Sequence, residues 1–168
     1  DFEVSLTLED AQHIVKLVRA SVPVGFEVIL AGSFRRGRKV SKDCDIVVIG
    51  EKTTDTTGSI WVALEDVAEV EIGAQGRDVI MGVIKMPSGV WKRFDIFVSP
   101  EDERACSLLA HTGPALYNIK LRSAAKERGW TLNEKHLKDE KGDIIETKTE
   151  ADVQTALGFP VQQPEDRK

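Results

Sequence analysis

A chain of 168 residues suffices for one ordinary domain or two small ones sharing an interface, and its 41% hydrophobic content supplies a core, which excludes a disordered protein. No apolar run approaches the roughly 20 residues of a membrane-spanning helix, and Asp1-Phe2-Glu3 has neither the basic end nor the apolar stretch of a signal peptide. The expectation is a soluble intracellular protein with no membrane partner. Cys44 and Cys106 stand alone, without disulfide or zinc spacing, which fits a reducing compartment. A start at Asp1 rather than Met points to processing or to a piece of a longer chain. The net charge of −5 argues mildly against a nucleic-acid partner. Its distribution argues the other way, because Arg35, Arg36, Arg38, Lys39 and Lys42 crowd together, and Lys120, Arg122, Lys126 and Arg128 recur on one predicted helix.

In chain order, Leu8, Ala11, Ile14, Val15, Val18 and Val22 fall at helical spacing behind Thr7, a candidate N-cap, and Pro23 ends the run. Residues 26–31 and 45–50 read as strands, the first stopping at Gly32. A polar stretch over 51–59 leads to a helix over 60–70. Residues 78–86 and 90–98 are strands joined by Pro87-Ser88-Gly89, a hairpin signature. A helix follows over 101–110, then Thr112-Gly113-Pro114 breaks the chain before a helix over 114–128 that Gly129 ends. Short strands are predicted at 130–133, 135–138 and 143–146, a last helix at 150–157, and an extended tail from Pro160. The order reads as an α+β chain with a boundary near residue 110.

In Asp43-Cys44-Asp45 the alternation of a strand sends both carboxylates to one face and Cys44 to the other. Asp95 sits among apolar residues in Arg93-Phe94-Asp95-Ile96-Phe97, where an unpaired carboxylate is costly. Three converging carboxylates suit hard divalent cations, and two such ions about 4 Å apart activate an attacking hydroxyl while neutralising a leaving pyrophosphate. An Asp-x-Asp alone is weak, since a solvated strand end explains it as well. Context strengthens it: Gly32-Ser33-Phe34-Arg35-Arg36-Gly37 lets a phosphate approach the backbone, adds a hydroxyl, and supplies Arg36 as a bidentate fork.

Gly32-Ser33, followed by Asp43-Cys44-Asp45-Ile46, resembles the nucleotidyltransferase superfamily signature, and Gly32–Gly37 is similar to its form in family X DNA polymerases. Arg93-Phe94-Asp95-Ile96 resembles the strand of the third aspartate. Thr112-Gly113 with Asn118 and Arg122 resembles the palm–thumb junction, and Leu157-Gly158-Phe159-Pro160 the family's C-terminal end. The resemblance implies a palm over 1–109, with a mixed sheet flanked by helices, and a small α/β thumb over 110–168 with a short antiparallel sheet. No lyase or helix-hairpin-helix motif precedes residue 7, and whether such domains lie upstream stays open.

The roles implied are these. Asp43 and Asp45 bind both of two Mg2+ ions, for which Mn2+ can substitute, and Asp95 binds one and helps deprotonate the primer 3′-hydroxyl. Gly32, Ser33, Arg36 and Ser41 hold the triphosphate. Thr112 and Gly113 line the sugar pocket, Asn118 meets the incoming base, and Arg122 touches the template strand. Arg93 lies near the primer terminus, and Lys120 and Lys126 add charge for DNA on the thumb helix. The expected partners of this monomer are primer-template or gapped DNA and deoxynucleoside triphosphates. Lys42 replaces a usual Gly and either tightens nucleotide binding or is solvated. Ala110-His111 replaces the usual Tyr-Phe wall of the sugar pocket, which points to ribonucleotide tolerance; the alternative is that His111 only packs at a junction. The competing functions are a terminal transferase, a transferase acting on a small molecule or protein, and an inactive DNA-binding module.

Overall fold

The computed structural model describes residues 5–168. Residues 1–4, on which the reading of a processed start rests, lie outside it. Its centre is a five-stranded mixed sheet in the order β2-β4-β7-β6-β5, where β2 is Glu27–Leu30, β4 Asp45–Ile49, β5 Val70–Gln75, β6 Val79–Lys85 and β7 Trp91–Ser99. β4 and β7 run parallel and the other pairs antiparallel. Helices α1 (Leu8–Arg19) and α3 (Thr56–Val67) cover one face, and α4 (Arg104–Thr112) lies on the other. Single-turn α2 spans Gly32–Arg35, α5 Ala115–Glu127 and α6 Glu150–Ala156; β8 (Thr131–Leu132) and β9 (Leu137–Lys138) form a small antiparallel sheet. This is the expected α+β architecture with a mixed sheet flanked by helices.

Alternation along β4 and β7 sorts the sheet's two faces. Cys44, Ile46, Val48, Phe94, Ile96 and Val98 pack into the main core with Ile14, Val18, Ile60 and Leu64. Asp45, Val47, Ile49, Asp95, Phe97 and Ser99 therefore point to the opposite face. There Val47 and Ile49 pack on Leu108 of α4, and the Ser99 hydroxyl donates to Ser107 at 2.8 Å. A third cluster joins Ala105, Cys106 and Leu109 of α4 to Tyr117, Leu121 and Ala125 of α5, with Leu137 and Val153. The spacing of Tyr117, Leu121 and Ala125 buries one stripe of α5 and leaves Lys120, Arg122 and Lys126 exposed.

The local signals mostly act as read. Thr7 caps α1 in a reciprocal box with Asp10, and Met86 and Val90 close the hairpin through a backbone bond of 2.8 Å. Four readings need correcting. Residues 70–75 form edge strand β5, because pairing with β6 outweighs a pattern that alternates poorly at an exposed edge. Leu6–Thr7 and Val40–Ser41 pair as two-residue strands, here β1 and β3, too short for periodicity to register. Residues 143–146 make one isolated bridge, Ile144 to Lys138, rather than a strand. The tail turns once at Pro164–Asp166, which brings Arg167 into the interior.

Candidate active site

Asp45 and Asp95 are direct neighbours across the parallel β4–β7 pair. Asp43 lies two residues upstream, exposed, in the loop that enters β4. Burial, then the Asp95 and Asp43 charges, push the Asp45 carboxyl up to about 7 against the weaker pull of Arg36 and Arg93. Burial also raises Asp95, which Arg93 counteracts. The site thus holds negative charge that its own cations do not neutralise. Its donor atoms are all carboxylate oxygens, the set hard divalent cations take, so the residues present fit such ions. The three aspartates do not bring all their ligating atoms within 4.8 Å of one another.

α2 sits directly beside this pair. Gly32 has φ of +61°, and a Cβ there would stand 3.0 Å from Asp45 Oδ2, so both conformation and space require glycine. The Ser33 hydroxyl donates to Ser41 Oγ at 2.6 Å, and the Asp43 amide donates to the same oxygen at 3.2 Å. Pairing of β3 with β1 fixes Ser41. Arg36 Nη1 donates to the Thr112 carbonyl at 2.5 Å, and a Cβ at Gly113 would come within 3.2 Å of that same nitrogen. Burial and then Arg38 lower the Arg36 pKa, while Asp45 raises it. The loop of α2 and the turn at 112–113 are therefore one assembly.

Sequence reasoning missed what holds this assembly. Arg35, counted among the basic cluster, donates to Thr112 Oγ1 at 2.7 Å and to both oxygens of Glu150 at 2.6 and 2.9 Å. Arg167 donates to Glu150 at 2.8 Å from the other side. These pairings cross 115 and 17 residues of chain, beyond the reach of any local signal.

The other expected residues gather further along the same face. His111 stacks flat on Phe97, with ring centres 3.8 Å apart, and burial lowers its pKa to about 4. Phe97 carried one available signal, its position two residues after Asp95. His111, Ala110, Phe97 and Arg122 line a cavity of about 340 Å³ that Asp43, Asp45 and Asp95 do not border. Asp95 and Arg93 instead border an open groove with Met81. Asn118 Nδ2 donates to the Ala110 carbonyl at 2.9 Å, tying α5 to the end of α4. Lys42 is exposed, as are Lys126 and Lys120, the last donating to the Lys168 carbonyl at 3.2 Å.

A two-carboxylate strand pair backed by a glycine turn, with a second unit docked on it, defines a palm-and-thumb nucleotidyltransferase fold. The family model for the DNA polymerase beta palm matches residues 7–101, and that for the DNA polymerase beta thumb matches residues 107–168. DNA polymerase lambda of Rattus norvegicus is 30% identical, covering 99% of this chain and 34% of its own length. DNA polymerase lambda of Arabidopsis thaliana is 25% identical over 95% of this chain and 35% of its own. The DNA polymerase/3'-5' exonuclease PolX of Bacillus subtilis (strain 168) is 27% identical over 99% of this chain and 26% of its own. The chain belongs to the DNA polymerase beta family, family X. It spans about a third or less of the length of these curated relatives.

Proposed function

We propose that this chain adds nucleotides to a DNA primer 3′-hydroxyl under template direction, in gap-filling repair, with a palm over 1–109 and a thumb over 110–168. The observation that carries the reading is the registered Asp45–Asp95 pair beside Gly32, Ser33 and Arg36. Asp43 and Asp45 would hold two magnesium ions, for which manganese can substitute, and Asp95 one of them. Such ions supply activation of the hydroxyl and neutralisation of the leaving pyrophosphate.

The protein's own part is positioning. Ser33, Ser41 and Arg36 orient the triphosphate, and Gly32 lets it reach the backbone. Asp95, whose proton affinity burial raises, is placed to accept the proton of the 3′-hydroxyl. Arg93 lies beside it on the same strand face and steadies the primer end. Arg122, Lys120 and Lys126 meet the DNA backbone, and Thr112 and Gly113 flank the sugar. No helix among the described residues is long and apolar enough to cross a membrane.

The test offers the purified chain a labelled primer alone, a primer on a template and a one-nucleotide gap, with each nucleotide in turn. Template-matched addition, best in the gap, is expected. Equal, unmatched extension of the lone primer would instead make it a terminal transferase, and no extension at all would point to a smaller acceptor.

A further inference from the structure

The acidic run at 101–103 has no part in that reading. It closes β7 and faces the turn between β8 and β9. Asp102, Glu103 and His136 there form, among the described residues, the one set of three with all ligating atoms within 4.8 Å of one another. His136 Nε2 lies 3.8 Å from Asp102 Oδ2, beyond hydrogen-bond reach. That nitrogen is buried and has no hydrogen-bond partner, a costly arrangement for an imidazole.

Asn133 Oδ1 accepts from the backbone amides of both Lys135 and His136 at 2.8 Å, which pins the turn carrying the ring. The Lys135 ammonium on that turn pairs with Asp78 at 3.5 Å, while its charge also acts on Glu103. Asp102 and His136 also border a cavity of about 310 Å³ with Glu146, room enough for water to complete a coordination shell. Two ligands each about 2.0–2.2 Å from a tetrahedral ion stand roughly 3.3–3.6 Å apart, so the set needs only a small closing motion. An imidazole among the carboxylates favours zinc-like ions over magnesium.

We propose that Asp102, Glu103 and His136 form a binding site for a divalent transition metal of the zinc class, joining the entry to α4 with the β8–β9 hairpin. The site shares no residue with the aspartate site, so it stands or falls independently of the polymerase reading.

The full chain, stripped of metal by a chelator, is titrated with zinc by calorimetry while the ring resonances of its three histidines are followed by NMR. A micromolar binding event that shifts His136, leaves His13 and His111 in place and raises the thermal midpoint is expected. His136→Gln and, separately, Asp102→Asn should weaken that event at least about tenfold, and Asp95→Asn should leave it intact. Asp102 is largely exposed, so its variant is not expected to disturb folding. Binding that survives either substitution, or that needs millimolar zinc in the unaltered chain, overturns the site.

Discussion

Asp45, a proposed metal ligand, works against the fold that carries it. Its carboxyl is pushed up to about 7, whereas an unfolded aspartate titrates near 3.9. The folded chain thus binds this proton more tightly than the unfolded one. Its contribution to stability is present below about pH 4 and is lost as pH rises to about 7. Asp45→Asn should stabilise the metal-free chain by about 1–3 kcal/mol near pH 8, with the gain shrinking toward about pH 5, while abolishing nucleotide transfer. Urea denaturation across that range measures it, and a variant less stable than its parent near pH 8 would contradict the charge argument.

At the same scale, Ala110 and His111 carry a prediction about the sugar. Where Tyr and Phe wall the pocket, a 2′-hydroxyl meets a barrier of roughly 2–4 kcal/mol, or about 30- to 1000-fold. Ala110 lacks one ring, and His111 is held flat against Phe97. Discrimination against ribonucleotides should therefore fall below about a thousandfold and rise in the Ala110→Tyr, His111→Phe double variant. The ratio of catalytic efficiencies for deoxy- and ribonucleotides opposite one template base decides it. An unchanged ratio would assign exclusion to the backbone instead.

Between elements, the decisive contact is Glu150 of α6 holding Arg35 of α2 and Arg167 of the tail. Glu150 is buried enough that burial alone would raise its pKa, yet the two arginines hold it below the ordinary value. Glu150→Gln leaves two cations facing one another and should cost about 2–4 kcal/mol in a urea unfolding curve. A loss below about 0.5 kcal/mol would show the triad to be solvated.

This triad also marks where the sequence stops being legible. The capping of α1, the β6–β7 hairpin and the sorting of Asp45 from Cys44 are local, set by residues within a few positions of each other, and they can be read directly. β5 is an edge strand stabilised by its neighbour, and β1 and β3 are two residues each, so neither leaves a periodic trace. Arg35 reads only as one member of a basic cluster because its basic neighbours are visible and Glu150 is far along the chain. His111 reads as a pocket wall, while its stacking partner Phe97 lies on another element.

For the molecule as a whole, the proposed function makes the acidic balance and the exposed basic stripe of α5 decide how DNA would be held. With a net charge of −5, affinity should be weak and fall steeply with salt. Replacing Lys120, Arg122 or Lys126 by Ala should each lower the slope of log affinity against log salt by about 1. Fluorescence anisotropy with gapped DNA reads this, and a salt-independent nanomolar affinity would mean that apolar contacts dominate.

The central claim, that the Asp45–Asp95 face performs nucleotidyl transfer, is tested most directly by single-turnover incorporation into a one-nucleotide gap by Asp95→Ala, measured beside its nucleotide affinity. The predicted result is a rate at least about 1000-fold lower, equivalent to roughly 4 kcal/mol of barrier, with nucleotide affinity held within about threefold. A near-normal rate in that variant would contradict the assignment.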